Sequence, residues 1–127
     1  MPVTAKNQRV RIAPRKVAIV ADLVRGRTVS DALVILEHTP RRSAREVANT
    51  VKSAKANAEH NHSYKPDSLI ITEITVMPGP RLKRWRPAAR GRALRFARKT
   101  SHIRVVVDGE KRVAKKTPEK TTEKETA

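Results

Sequence analysis

The chain has 127 residues, no cysteine and a formal net charge of +17, with a pI near 11.4. This length fits one domain of about 100 residues with a tail, and the lack of cysteine excludes a disulfide framework, a thiol nucleophile and a thiolate metal site. So large a positive charge predicts a polyanionic partner, either a nucleic acid or an acidic membrane surface. Neither a secretory signal nor a membrane-length apolar run is present, so we expect a soluble intracellular protein.

The first part of the chain predicts a strand and a helix. Residues 3–12 alternate loosely between apolar and basic side chains, as in a short strand with one wet face. Pro14 is suited to the first turn of a helix, where its missing N–H costs nothing. Apolar residues then recur at helical spacing until Gly26, which predicts a helix over residues 14–25.

A second, shorter helix is predicted after this glycine. Ser30 and Asp31 are its candidate N-caps. It should end near Pro40, because the residue before a proline disfavours helical geometry. The apolar residues expected on this helix are Ala32, Leu33, Ile35 and Leu36.

The third helix is predicted to be the longest. Ser43 with Glu46 has the spacing of a capping box, and Thr39 ahead of Pro40 is an equally good cap. Small apolar residues permit a close approach, so we expect this helix to lie flat on the sheet. Its narrow apolar stripe consists of Ala44, Val47, Ala48, Val51, Ala54 and Ala58.

Two β-branched runs, residues 69–77 and 102–107, flank a basic segment. Strands that flank a loop are usually paired, so residues 78–104 are predicted to leave the sheet and return as a long hairpin. The run at 69–77 is expected to be the central strand. Pro87 and Gly91 mark the reversal, and ten or so residues on each arm would project roughly 30 Å.

These elements predict an α/β (α+β) fold in one domain over residues 1–110. Residues 111–127 consist almost entirely of Lys, Thr, Glu, Ala and Pro, with little to bury, and are predicted to form a disordered tail. A solvated extension is the simpler interpretation of this tail. The alternative is additional RNA contact through Lys111, Arg112, Lys115 and Lys116.

The predicted hairpin contains ten cations and no acid. Solvated surfaces usually mix charges of both signs, and unpaired cations on one projection repel each other unless phosphates neutralise them, so we predict nucleic-acid binding. Arginine outnumbers lysine, which favours bidentate phosphate contacts and stacking on folded RNA. A second basic cluster near the first helix has two equal explanations, phosphate binding and a wet strand face. The candidate binding residues are Arg81, Lys83, Arg84, Trp85, Arg86, Arg90, Arg92, Arg95, Arg98, Lys99 and His102 in the hairpin, and Lys6, Arg9, Arg11, Arg15 and Lys16 in the second cluster.

Other candidate sites are weak. Trp85 could stack on a base or anchor the hairpin's own packing. His60 and His62 lie beside Glu59 without a third ligand cluster, so no metal site is expected. His102 begins a strand and is expected to form a hydrogen bond locally or to phosphate. No nucleotide-loop, hydrolase or zinc-protease motif occurs, so we predict no catalytic residue and no cofactor.

Residues 84–103 read R-W-R-P-A-A-R-G-R-A-L-R-F-A-R-K-T-S-H-I. This segment resembles the hairpin signature of the large-subunit ribosomal protein family numbered twenty-two. The match is carried by Pro87, residues 91–93, Lys99 and residues 101–103. Supporting matches follow in order over residues 5–107, at Ala5-Lys6, Pro14-Arg15-Lys16, residues 22–26, residues 53–59 and Gly79-Pro80.

The resemblance implies a three-stranded antiparallel sheet packed by three helices, on the outer surface of the large ribosomal subunit near the tunnel exit. The hairpin would run inward along the nascent-peptide tunnel, and Ala88 departs from the arginine usual in the family. The implied partners are large-subunit rRNA, neighbouring large-subunit ribosomal proteins and the nascent polypeptide. The implied tip at the tunnel constriction consists of Pro87, Ala88, Ala89, Arg90, Gly91, Arg92 and Ala93.

The sequence therefore predicts a structural constituent of the large subunit in the cytoplasmic ribosome, which binds rRNA, aids assembly and is not an enzyme. The alternative is an architectural DNA-binding protein that inserts a basic β-arm into a groove. Such arms usually belong to dimers, and the chain has no evident dimer seam, so no homo-oligomer is expected. Its helices offer mainly Ala and Val, so no membrane binding is expected either.

Overall fold

The computed structural model describes residues 1–112 and contains three helices and five strands. The predicted α+β class with an antiparallel sheet is confirmed. The predicted tail begins at residue 111, and its residues 113–127 lie outside the described residues. In chain order the elements are β1 (Val3–Val10), α1 (Pro14–Val24), α2 (Val29–His38), α3 (Arg42–His62), β2 (Ile70–Pro78), β3 (Leu82–Pro87), β4 (Ala93–Arg98) and β5 (Ser101–Asp108).

The main sheet has the strand order β1-β5-β2, and both pairings are antiparallel. The strands that flank the hairpin, β2 and β5, pair as predicted. The prediction that residues 69–77 form the central strand is wrong, because β1 adds to the free edge of β5 and places β5 in the middle. The other edge of β2 is occupied by the connection between α1 and α2, where Gly26 N–H donates to the Ile71 carbonyl and Ile71 N–H donates to that of Arg27.

One face of this sheet is covered by the helices and forms the core. The small residues of the α3 stripe are buried, with Val47, Val51 and Ala54 fully inaccessible, which confirms that α3 lies flat on β1 and β5. On the sheet side, Ile71, Ile74, Ile103, Val105 and Val107 are buried. No side chain from residues 77–102 belongs to this core, so core packing does not hold the hairpin in place.

The start of α2 differs from the prediction. The helix begins at Val29 with Thr28 as its N-cap, whereas Ser30 and Asp31 were the expected caps. Thr28 Oγ1 accepts a hydrogen bond from Asp31 N–H at 3.3 Å and donates to the Asp31 carboxylate at 2.7 Å. This reciprocal arrangement satisfies a backbone donor that the first turn leaves without a helical partner.

Replacing this cap should measurably destabilise the protein. We expect Thr28→Ala to lower the free energy of unfolding by about 1 kcal/mol, because the first-turn donor loses its acceptor. Urea unfolding followed by circular dichroism would measure the change. Ser30→Ala, two residues along the same helix end, is the matched control and should cost no more than about 0.5 kcal/mol. Equal losses for the two variants would show that Thr28 is not the cap.

The start of α3 also departs from the prediction. The helix begins at Arg42, and Arg41 at the N-cap position makes no capping side-chain bond. The predicted capping box and the alternative Thr39 cap are both wrong, because these side chains are engaged elsewhere. Ser43 Oγ donates to the Lys16 carbonyl on α1, and Thr39 Oγ1 donates to the Ile35 carbonyl at the end of α2.

The described end of the chain pairs with the segment that follows α3. Lys65 N–H donates to the Glu110 carbonyl, and Arg112 N–H donates to the Ser63 carbonyl. Tyr64 between them is only 1% exposed, and this burial together with the nearby Asp108 carboxylate raises the pKa of its phenol. The body thus remains paired as far as Arg112.

Candidate nucleic-acid interface

The hairpin is a two-stranded sheet of its own, formed by β3 and β4. Its ladder runs from the pair Leu82 and Arg98 to the pair Pro87 and Ala93. Six residues on each strand give about 20 Å at ~3.3 Å per residue. This paired part is shorter than the roughly 30 Å arm expected, because residues 79–81 and 99–100 leave the ladder at the base.

The tip reverses within residues 88–92, which follow Pro87 and include Gly91, the two residues predicted to mark the reversal. Ala88 N–H donates to the Arg92 carbonyl at 2.8 Å, which closes the turn. Arg90 has φ of 59° and Gly91 has φ of 70°, so two successive residues adopt the left-handed region. Glycine adopts this conformation freely, whereas an arginine in it costs about 1–2 kcal/mol. The turn therefore presents the Arg90 side chain at the price of local strain.

Cation–π contacts cross the hairpin. The Arg95 guanidinium lies 4.6 Å from the centre of the Trp85 ring, directly opposite it in the ladder, and Arg86 lies at the same distance from the Phe96 ring. Contacts of this kind stabilise an exposed hairpin by about 0.5–1 kcal/mol each. Trp85 is nevertheless 57% exposed, so it packs within the hairpin and still has ring surface accessible to solvent.

The hairpin's cations are unpaired within the part of the chain that the structure describes. Every ion pair among residues 1–112 lies in the body. Such a concentration of one sign of charge disfavours the free state and attracts an anionic partner. The exposed cations on the hairpin and its base are Arg81, Lys83, Arg84, Arg86, Arg90, Arg92, Arg95, Arg98 and Lys99.

A groove of about 660 Å³ lies where the hairpin base meets the starts of α1 and α3. We call it the basal groove. No acidic residue lines it, and smaller pockets beside it add Arg15, Arg81 and Arg84. Its six cationic side chains come from three separate parts of the chain, as Arg11 and Lys16, Arg41 and Arg42, and Arg98 and Lys99.

The two helices that begin at the basal groove are unusual in the same way. Neither has a side-chain cap, and neither has an acidic residue in its first turn. Their first turns instead carry cations, Arg15 and Lys16 in α1 and Arg42 and Arg45 in α3. Cations at a helix N-terminus oppose the helix dipole and cost stability. An anion in the groove would reverse that penalty.

The structure separates the predicted basic cluster into groups. Arg11 and Lys16 line the basal groove and Arg15 lines the pocket beside it, whereas Lys6 lies on β1 opposite Arg104. Arg9 adopts a φ of 59° at an irregularity in β1. Lys6 and Arg9 therefore lie along β1, whereas Arg11, Arg15 and Lys16 line concave surfaces near the start of α1, and phosphate binding there stays a prediction.

Arg41 and Arg42 were absent from the predicted site, although both line the groove. A sequence signal for them existed. Two arginines at the start of a helix occupy positions where acids are favoured, and this reversal marks them as candidate anion-binding residues.

His102 connects β1 to the base of the hairpin. Its Nδ1 accepts a hydrogen bond from Arg9 N–H at 3.1 Å, so of the two predicted roles the local hydrogen bond is present. Its Nε2 faces Gly79, where an added Cβ would lie 3.2 Å away.

The hairpin base is closed by two hydrogen bonds. Gly79 N–H donates to the Thr100 carbonyl at 2.8 Å, and Thr100 Oγ1 donates to the Pro80 carbonyl at 2.6 Å. A Cβ at position 79 would lie only 2.6 Å from Thr100 Oγ1. The close approach of the two strands thus requires glycine here.

We expect Gly79→Ala to lower the free energy of unfolding by about 1–3 kcal/mol, because Thr100 must move to relieve the overlap. Urea unfolding of Gly79→Ala, Thr100→Ala and the double variant would measure it. The double variant should lose less than the sum of the single variants, since Thr100→Ala removes the clashing oxygen. Strict additivity would contradict this account of the base.

Within residues 1–112, no three His, Asp or Glu side chains are grouped as metal ligands. None of the described helices combines the length and apolarity that crossing a membrane requires.

Comparison with known proteins identifies the family. A family model described as ribosomal protein L22p/L17e matches residues 5–108, which include the hairpin and every residue of the basal groove. The chain belongs to this family. The large ribosomal subunit protein uL22 of Herpetosiphon aurantiacus is 51% identical over 98 residues, covering 77% of this chain and 87% of that protein. The protein of the same name from Oceanobacillus iheyensis is 51% identical over 111 residues, covering 87% and 98%. The resemblance seen in the sequence is confirmed.

Proposed function

We propose that this protein is a structural constituent of the large ribosomal subunit in the cytoplasm, where it binds large-subunit rRNA and aids subunit assembly. Family membership and the names of its relatives support the ribosomal role. The observation that carries the RNA-binding proposal is the exposed hairpin and groove, whose cations have no carboxylate partner among residues 1–112. The role needs no catalytic group, and the proposal includes no catalysis.

Binding would rest on charge neutralisation. Each phosphate contact releases counterions condensed on the RNA, which makes the affinity strongly dependent on salt. A two-stranded hairpin is only marginally stable in water, and this one adds the mutual repulsion of its cations. RNA would therefore order the hairpin, while the cations let RNA strands approach each other during assembly.

The tip at residues 87–93 is proposed to line the nascent-polypeptide exit tunnel. It lies at the far end of β3 and β4, away from the body. Ala88, Ala89 and Ala93 keep it narrow, which suits a confined channel. Arg90 and Arg92 are exposed there and would meet rRNA or the nascent polypeptide. Neighbouring large-subunit ribosomal proteins are the remaining proposed partners, and no homo-oligomer is proposed.

Competition binding tests this proposal against the DNA-binding alternative. A labelled transcript of large-subunit rRNA is bound to the protein at ~0.15 M salt and displaced by unlabelled rRNA or by duplex DNA of equal mass. We expect rRNA to compete at least on the order of tenfold better, because folded RNA offers close phosphates and exposed bases. Equal competition by duplex DNA would instead favour a basic β-arm that inserts into a groove.

A further inference from the structure

Few contacts among the described residues fix the direction in which the hairpin leaves the body. Among the described residues, no hydrogen bond or ion pair joins residues 82–98 to the helices or the main sheet. No side chain between Val76 and Ile103 belongs to the hydrophobic core, so the core contains no residue of the hairpin. The attachment therefore depends on two hydrogen bonds between residues 79–80 and Thr100.

The basal groove spans this attachment. Arg98 and Lys99 line it from the hairpin side, whereas Arg41 and Arg42 line it from the start of α3. All four side chains are exposed and carry the same sign of charge, so in the free protein they push the hairpin and the body apart. An anion in the groove would attract both sides at once.

We propose that the basal groove is a phosphate clamp: an RNA phosphate bound there bridges α3 to the hairpin base and so fixes the hairpin's direction relative to the body. The inference rests on the proposed function, since RNA supplies the phosphate. The two parts of the interface then have different roles. The arms bind RNA along their length, and the phosphate in the basal groove fixes the direction of the arms relative to the body.

The size of the groove limits what the clamp holds. This volume of about 660 Å³, which opens to solvent, admits a short stretch of sugar–phosphate backbone. Six cations around so small a volume are suited to two or three adjacent phosphates. The clamp should thus respond to a small polyphosphate that cannot reach the tip.

The test measures the hairpin's direction with two spin labels. Because the chain has no cysteine, Ala89→Cys at the tip and Lys52→Cys on α3 give unique attachment sites. Pulsed electron paramagnetic resonance then measures the distribution of distances between the two labels. The probe is inorganic tripolyphosphate, because a molecule bound in the groove is too short to span the β3–β4 ladder to residues 87–93.

We expect tripolyphosphate to narrow the distance distribution at least twofold. The variant Arg41→Gln/Arg42→Gln should keep a broad distribution at the same probe concentration. The control Lys83→Gln/Arg86→Gln removes two hairpin cations that do not line the groove. Its distance distribution should narrow as that of the parent protein does. A distribution that is already narrow without anion, that does not narrow with tripolyphosphate, or that narrows equally in the Arg41/Arg42 variant would overturn the clamp.

Filter binding of the large-subunit rRNA transcript by the same labelled proteins distinguishes the two proposals. If rRNA binds and the distance distribution behaves in one of those three ways, the clamp fails and the proposed function stands. If the parent protein does not bind rRNA at all, both fail.

Discussion

Removing four hairpin arginines together is expected to weaken rRNA binding on the order of 10³-fold at ~0.1 M salt. Each phosphate contact contributes about 0.7–0.9 to the slope of log affinity against log salt. Taking the electrostatic contribution as zero at 1 M salt, four lost contacts weaken binding by roughly three decades at ~0.1 M. The slope of log affinity against log salt should also fall by about 3. The measurement is filter binding of the large-subunit rRNA transcript over a salt series. The variant carries Arg84→Ala, Arg86→Ala, Arg90→Ala and Arg92→Ala.

A charge-matched control separates this contact from a general effect of net charge. It removes four exposed or half-exposed cations of the body that lie outside the hairpin and the basal groove. Its rRNA affinity and its slope of log affinity against log salt should both fall far less. An equal loss in the two variants would show that net charge, and not the hairpin, determines binding. The control carries Arg27→Ala, Lys52→Ala, Lys55→Ala and Lys65→Ala.

Truncating one core isoleucine is expected to have the largest effect on folding. Ile71 on β2 is fully buried, whereas the adjacent Ile70 is 49% exposed. Ile71→Ala should lower the free energy of unfolding by about 2–5 kcal/mol, because it removes buried methyl groups and leaves a cavity. Ile70→Ala, the same change one residue away, should cost less than about 1 kcal/mol. Urea unfolding measures both free energies. A larger loss for Ile70→Ala would show that Ile70, and not Ile71, packs against the helices.

The contrast between these two isoleucines shows what sequence pattern alone could not determine. Buried and exposed side chains do not alternate strictly from Leu69 to Ile74, because an irregularity in the ladder near Thr72 shifts the register against β5. The pattern predicted a strand there, but the side that faces the core depends on its partner. The central position of β5 likewise depends on β1, a pairing between the two ends of the described chain.

Local signals predicted the elements well. Pro14 and Gly26 bound α1 as expected, and the acid-free basic segment between two β-branched runs is the hairpin. The basal groove was not predicted, because its cations come from segments about thirty and sixty residues apart that only the fold brings together. The caps of α2 and α3 were misassigned for a related reason: several hydroxyls had suitable spacing, and tertiary contacts such as that of Ser43 with Lys16 decided between them.

The most direct test of the central claim is sedimentation of cell extract through a sucrose gradient after a high-salt wash, with each fraction probed for this protein. An integral constituent of the large subunit is predicted to remain with the large-subunit peak, because its proposed position inside the folded rRNA slows dissociation even where salt weakens the phosphate contacts. Release of the protein into the soluble or nucleoid fractions would contradict the account, and it would leave the cationic hairpin as an arm for another nucleic acid.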